Sequence, residues 1–149
     1  MGRWLYPLAI EQPTDYRIFD SLMDVPRACF DDPRMVVERF LPEQDGDDYF
    51  VRCYFFLGNR SACTRIASKN PIVKGSTHCG MEKVEPHPDI VRLRKEMGFD
   101  YGKFDYVVRG GEAILFDINK TVGPQAQILA VEGLEALRHR AAGIYSYFA

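Results

Sequence analysis

Two short stretches hold the residue types best suited to chemistry: Gly98-Phe99-Asp100-Tyr101-Gly102-Lys103-Phe104-Asp105-Tyr106 and Leu115-Phe116-Asp117-Ile118-Asn119-Lys120-Thr121. Asp105 and Asp117 stand at similar distances on either side of Gly110-Gly111. A hairpin turning at those glycines brings both carboxylates to the same end of adjacent strands. An aspartate set among apolar residues in a strand costs free energy unless it is paired or holds a cation. Asn119, two residues beyond Asp117, shares its strand face and completes an all-oxygen cluster. Such donors suit Mg²⁺, which commonly brings a phosphate substrate with it, and Lys120 next door can contact that phosphate. The competing reading pairs Asp105 with Lys103 or Arg109 and makes Asp117-Ile118-Asn119 the end of a strand. Spacing alone leaves both open.

A second region runs Val36-Val37-Glu38-Arg39-Phe40-Leu41-Pro42-Glu43, followed by Gly46-Asp47-Asp48-Tyr49. A strand that leaves into a loop with free backbone groups can hydrogen-bond a planar base, and a later carboxylate can take a ribose. An edge strand beside a charged loop reads the same way. Arg52 and Arg65 fall on the two strands of the next hairpin. Facing inward, they can clamp a phosphate or carboxylate bidentately; facing strand neighbours, they form ion pairs.

These residues need a scaffold, and the composition supports one. The chain has 149 residues, 46% hydrophobic, 13% aromatic and 27% charged, which excludes a disordered or low-complexity protein. That length suits one domain. With 19 Lys+Arg against 21 Asp+Glu, no global basic field is available to grip nucleic acid. The apolar runs are far shorter than the about 20 residues of a membrane span, and Met1–Pro7 has no signal-peptide core. Cys29, Cys53, Cys63 and Cys79 form no CxxC pair, and read as reduced thiols of a cytoplasmic protein. Cys79 beside His78 is a weak metal candidate.

Strands are expected at Leu5 to Ile10, Tyr16 to Phe19 and Met35 to Phe40. A helical stretch, Asp20 to Phe30, carries Pro26 inside it. Tyr49 to Leu57 is the strongest strand signal, returning as Ser61 to Ala67 after Gly58-Asn59-Arg60. Pro71 to Lys74 adds a short extended piece, and Gly75 to Pro86 reads as a loop. Pro88 opens a helix that Gly98 stops. Phe104 to Val108 and Ala113 to Ile118 flank the Gly110-Gly111 turn. From Pro124, Ile128, Val131, Leu134, Leu137, Ala141, Ile144 and Phe148 recur at helical spacing, predicting a C-terminal helix packed on the sheet. His87 and His139 read as surface residues. The expected class is α+β with a largely antiparallel sheet.

Taken in order, the strings VVERFLPE, GFDYGKFDY and DINKT, at Val36–Glu43, Gly98–Tyr106 and Asp117–Thr121, resemble the C-terminal half of an ATP-grasp domain. That fold is shared by glutathione synthetase, D-alanine–D-alanine ligase, biotin carboxylase and the ligase that adds glutamate to a ribosomal protein. The resemblance covers residues 35 to 121. It implies residues 1–34 as a remnant strand and helix, 35–121 as a nucleotide and magnesium lobe, and 122–149 as a C-terminal helix. It places Glu38, Arg39 and Phe40 along adenine, Asp48 at the ribose, and Asp105, Asp117 and Asn119 on Mg²⁺. Arg52 and Arg65 become phosphate-facing catalytic arginines, Lys74 matches a loop lysine, and ATP and Mg²⁺ are the implied cofactors.

The activity so implied is phosphoryl transfer from ATP to a carboxylate, giving an acylphosphate that an amine or other nucleophile attacks. Such chemistry rests on positioning and electrostatics and needs no side-chain nucleophile. The likeness departs at the N-terminal side. Glu11 stands where a phosphate-contacting Lys is expected, and Gln12-Pro13-Thr14-Asp15 lacks glycine, while Pro13 lacks an N–H. The chain then reads as a lobe completed by a separate partner or a homodimer, or as a non-catalytic module acting in binding or oligomerisation.

Overall fold

Hydrophobic alternation dominates the computed structural model, which describes residues 3–7, 16–74, 78–122 and 126–148, with the backbone alone described over 3–7 and 126–132. The chain divides into two units, Met1–Pro42 and Glu43–Ala149. The class is mixed α and β with antiparallel strands throughout.

In the first unit, β1 (Arg3–Pro7) lies between β2 (Arg17–Phe19) and β3 (Met35–Arg39). β3 therefore groups with the N-terminal strands rather than with residues 43–121, because its ladder partner is β1, from Arg3↔Arg39 to Pro7↔Met35. The helix expected from Asp20 to Phe30 is split. Pro26 disfavours helical geometry at the residue before it, and Val25 sits extended at φ −73° and ψ 123°. What forms instead is a 3-10 turn, Leu22–Asp24, capped by the Ser21 hydroxyl, and one helical turn, α1 (Ala28–Asp31). The expectations at Glu11 to Asp15 lie outside the described residues.

In the second unit, β4 (Glu43–Asp45), β5 (Asp48–Leu57), β6 (Arg60–Ser68), β7 (Gly80–Val84), β8 (Tyr101–Arg109) and β9 (Glu112–Asn119) form one sheet ordered β7-β6-β5-β8-β9. β4 folds back on the start of β5, from Glu43↔Phe50 to Asp45↔Asp48. Residues 43–45 were expected in a loop, and β7 falls within the stretch expected as one. Glu82 and Lys83 give β7 the charged look of an edge strand, while Met81 and Val84 pack inward. Pro71 to Lys74 forms bends rather than a strand, with Asn70 Oδ1 accepting from the Ile72 N–H at 2.8 Å.

β5 is buried on both faces, which is why Cys53-Tyr54-Phe55-Phe56 is an unbroken apolar run. Tyr54, Phe56, Phe104 and Tyr106 pack on one face against Ile90 of α2 (Pro88–Glu96). Cys53, Phe55 and Ile66 pack on the other with Val51, Val73 and Met81. The last helix, α3 (Ala126–Ala141), breaks at Gly133, whose φ is 74°, and passes into a 3-10 turn, Ala142–Tyr147. The stripe predicted there is not wholly buried: Leu134, Ile144 and Phe148 are exposed. The turn is pinned instead by close backbone approach, since a Cβ at Gly143 would lie 1.9 Å from the Leu57 carbonyl oxygen.

Candidate functional site

β8 and β9 bring Asp105 and Asp117 directly opposite each other, and Lys103 opposite Asn119. The glycine hairpin alone does not achieve this. Near the turn the pairing runs Arg109↔Glu112 to Tyr106↔Leu115, a register that continues to Phe116 opposite Asp105. A bulge at that point leaves Phe116 unpaired and 58% exposed, and moves Asp117 into the place facing Asp105. One extra residue thus decides which face Asp117 and Asn119 occupy. Gly102, with φ 154°, admits the approach of β9, since a Cβ there would lie 2.6 Å from the Asn119 carbonyl oxygen.

The floor of the cluster is apolar: Cys53 stands opposite Asp105 and Phe55 opposite Lys103 on β5. Lys103 Nζ lies 2.5 Å from Asp105 Oδ2, so the pairing weighed from sequence forms alongside the carboxylate cluster. Asp105 Oδ1 is shut off from solvent and has no hydrogen-bond partner among the described residues. Burial pushes the Asp105 carboxyl above its ordinary value; Lys103 and the Cys53 thiol oppose the shift, and Asp117 adds to it. Burial lowers Lys103, but the Asp105 charge and hydrogen bond outweigh it and hold the ammonium above its ordinary value. Asn119 Nδ2 donates to Asp117 Oδ2 at 2.7 Å. Lys120 points elsewhere, its ammonium 5.8 Å from the centroid of Phe99, an aromatic ring packed with the core of the opposite face.

Arg52 and Arg65 also lie on that opposite face, paired with one another in the ladder and flanked by Tyr106 and Glu82. The structure does not bring them to Asp105 and Asp117. Both are engaged by Glu43, the last residue of the VVERFLPE string, to which the sequence assigns no role. Arg52 Nη2 and Nε donate to Glu43 Oε1 and Oε2 at 2.9 and 3.0 Å, and Arg65 Nε to Oε1 at 2.9 Å. The Val108 N–H donates to Oε2 at 2.7 Å. Burial raises the Glu43 carboxyl, but these donors outweigh it and hold the group below its ordinary value. The available signal was a glutamate preceding a long strand whose arginine faces an arginine on the next.

The remaining candidates are dispersed. Asp48 opens β5 and pairs with Lys69 at 2.9 Å. Glu38 and Arg39 end β3 as exposed residues of the first unit, and Phe40 follows them, buried. His87 is not a bare surface residue: it caps α2, and its Nε2 lies 3.2 Å from the Gly111 carbonyl oxygen, tying the helix to the β8–β9 turn. His139 is exposed. All four cysteines are free thiols, Cys53 and Cys63 buried and Cys79 exposed. Among the described residues no three His, Cys, Asp or Glu side chains converge as a metal set. The oxygen-bearing side chains that share this face are Asp105, Asp117 and Asn119, the types that could serve a hard cation such as Mg²⁺. No described helix is long and apolar enough to cross a membrane.

No protein-family model, curated protein or solved structure matches this chain.

Proposed function

We propose that Glu43–Ala149 is an ATP-grasp-like lobe carrying the magnesium-phosphate half of a nucleotide site, from a ligase class that activates a carboxylate as an acylphosphate for attack by an amine. The observation that carries the reading is the bulged register pairing Asp105 with Asp117, with Asn119 on the same face and Asp105 Oδ1 buried with no hydrogen-bond partner among the described residues. Asp105 and Asp117 would hold Mg²⁺ with Asn119 as a neutral oxygen donor. The metal there would screen charge on the phosphates during transfer. A partner lobe or a second copy of the chain supplies the remainder of the site.

The alternative is a non-catalytic module that acts in binding or oligomerisation. It is favoured by Arg52 and Arg65, whose guanidinium groups are engaged by Glu43. Calorimetric titration of the chain with Mg²⁺-ATP tests the first reading. Saturable binding lost in Asp105→Asn and Asp117→Asn is the expected result. Absence of binding at millimolar nucleotide, or binding unchanged in both variants, overturns it.

A further inference from the structure

Beyond the end of β7, one side of β6 is left without a strand partner. The ladder between them stops at Cys63↔Val84, and continuing its register would set Pro86 opposite Ser61. Pro86 has no N–H to give, and the chain turns off there, the His87 N–H donating to the Tyr106 hydroxyl at 3.0 Å. Along β6, backbone groups point alternately toward β5 and away from it. The Ala67 carbonyl points away, accepting from the Cys79 N–H at 2.8 Å, and Ser61 lies an even number of residues before it in an unbroken register. The N–H and C=O of Ser61 therefore face the open side. Ser61 is exposed, and no strand residue stands opposite it there among the described residues.

That open stretch lines a cavity of about 620 Å³, with Lys83 and Glu85 at the end of β7 and Glu135, His139 and Arg140 on α3. Arg140 is drawn toward the Phe55 ring, its guanidinium carbon 5.2 Å from the centroid. Lys83, Glu85 and Glu135 are exposed, and none makes an ion pair or side-chain hydrogen bond among the described residues, although both signs of charge share the cavity. Such a lining suits a ligand whose main chain sets an N–H beside a C=O and whose ends carry opposite charges. An extended peptide has both. Each residue adds about 3.4 Å, so three residues place an ammonium and a carboxylate on either side of one main-chain pair. A polyanion offers nothing to the two glutamates, and an apolar molecule leaves the strand edge unpaired.

We infer that the cavity between the open edge of β6 and α3 is a binding site for a short extended peptide with charged ends. The main chain of the peptide pairs with the N–H and C=O of Ser61, its ammonium meets Glu85 and Glu135, and its carboxylate meets Lys83.

The test follows backbone amide shifts of the ¹⁵N-labelled chain on titration with trialanine, which has a main chain and charged termini but no other functional group. Free alanine and trialanine blocked at both ends are the comparison probes. Ser61→Pro removes the outward N–H and leaves the β5 ladder untouched, and circular dichroism checks its fold. The exposed pair Lys83→Gln and Glu135→Gln, combined in one chain, decides the matter should the proline variant fail to fold. Expected are saturable shifts at Ser61, Ala62, Lys83 and His139 with trialanine, binding at least about fivefold weaker for both comparison probes and for the double variant, and at least about tenfold weaker for Ser61→Pro. Absence of saturable shifts at millimolar trialanine overturns the inference, as do shifts centred elsewhere in the sheet. Alanine binding as tightly as trialanine overturns the main-chain pairing, and so does unchanged binding in a folded Ser61→Pro. Unchanged binding in the double variant overturns the recognition of charged ends.

Discussion

The two faces of the sheet each carry a charged cluster, and they are built to opposite rules. On one face Glu43 takes donors from Arg52, Arg65 and the Val108 backbone, and its carboxyl is held below its ordinary value. On the other, Asp105 is raised by burial, has one oxygen with no hydrogen-bond partner among the described residues, and faces a second carboxylate. The first cluster is electrostatically complete and joins β4 to β5, β6 and β8. The second sets two carboxylates against the single Lys103 ammonium. Under the proposed reading, the satisfied carboxylate is a structural clamp and the unsatisfied one, facing a second carboxylate, is the candidate ligand group.

The largest effect that would break this comparison concerns the clamp. Glu43→Gln leaves two partly buried guanidinium groups facing a neutral amide, and is expected to cost about 3 kcal/mol in urea unfolding at neutral pH. The sign of its pH dependence follows from the lowered folded value. Glu43 stabilises the fold fully above its ordinary 4.5, and that contribution is lost as pH falls through the lower folded value. The variant should therefore show a flatter loss of stability below pH 4.5 than wild type.

Asp105→Asn should act in the opposite sense. A raised folded value means that the ionised carboxylate burdens the fold relative to its neutral form. Because the single substitution strands the Lys103 ammonium, the comparison is made with Lys103→Gln added; the pair of changes is expected to alter stability by less than about 1 kcal/mol while removing Mg²⁺-ATP binding. Loss of stability as large as that of Glu43→Gln would erase the distinction between the clusters.

Deletion of Phe116 sharpens the comparison further. It removes the extra residue and lets the turn-proximal register run on through Asp117 opposite Asp105 and Asn119 opposite Lys103, so the carboxylates keep their shared face without the bulge. Nucleotide binding should be retained, with circular dichroism reporting a retained sheet. The smallest effect belongs to an ion pair at neither cluster. Arg34→Ala, removing an exposed guanidinium 2.8 Å from Asp32, should leave the melting temperature unchanged within measurement.

What could be read from the sequence was local. Gly110-Gly111 between two alternating stretches marks the β8–β9 hairpin, and Pro88 and Gly98 bracket α2 through the chemistry of helix ends. The apolar run of β5 announces burial on both faces. The convergence of Asp105 and Asp117 followed from that hairpin, but the bulge that secures it did not, because nothing in the Leu115-Phe116-Asp117 triplet distinguishes a paired residue from an extra one. β7 escaped notice because two of its five residues are charged and its strand character comes from pairing with distant β6. Glu43 was hidden for the same reason, as its partners Arg65 and Val108 are 22 and 65 residues away. Facing by Arg52 and Arg65 depends on which side of the sheet each register selects, and that is decided between strands rather than within them.

The most direct measurement is paramagnetic broadening of backbone amide signals in the ¹⁵N-labelled chain on titration with Mn²⁺-ATP. The account predicts early broadening at Lys103, Asp105, Asp117 and Asn119, with the Glu43, Arg52 and Arg65 signals persisting to higher metal, and no selective broadening in Asp117→Asn. Broadening centred on Glu43, Arg52 and Arg65, or none at millimolar complex, would contradict it.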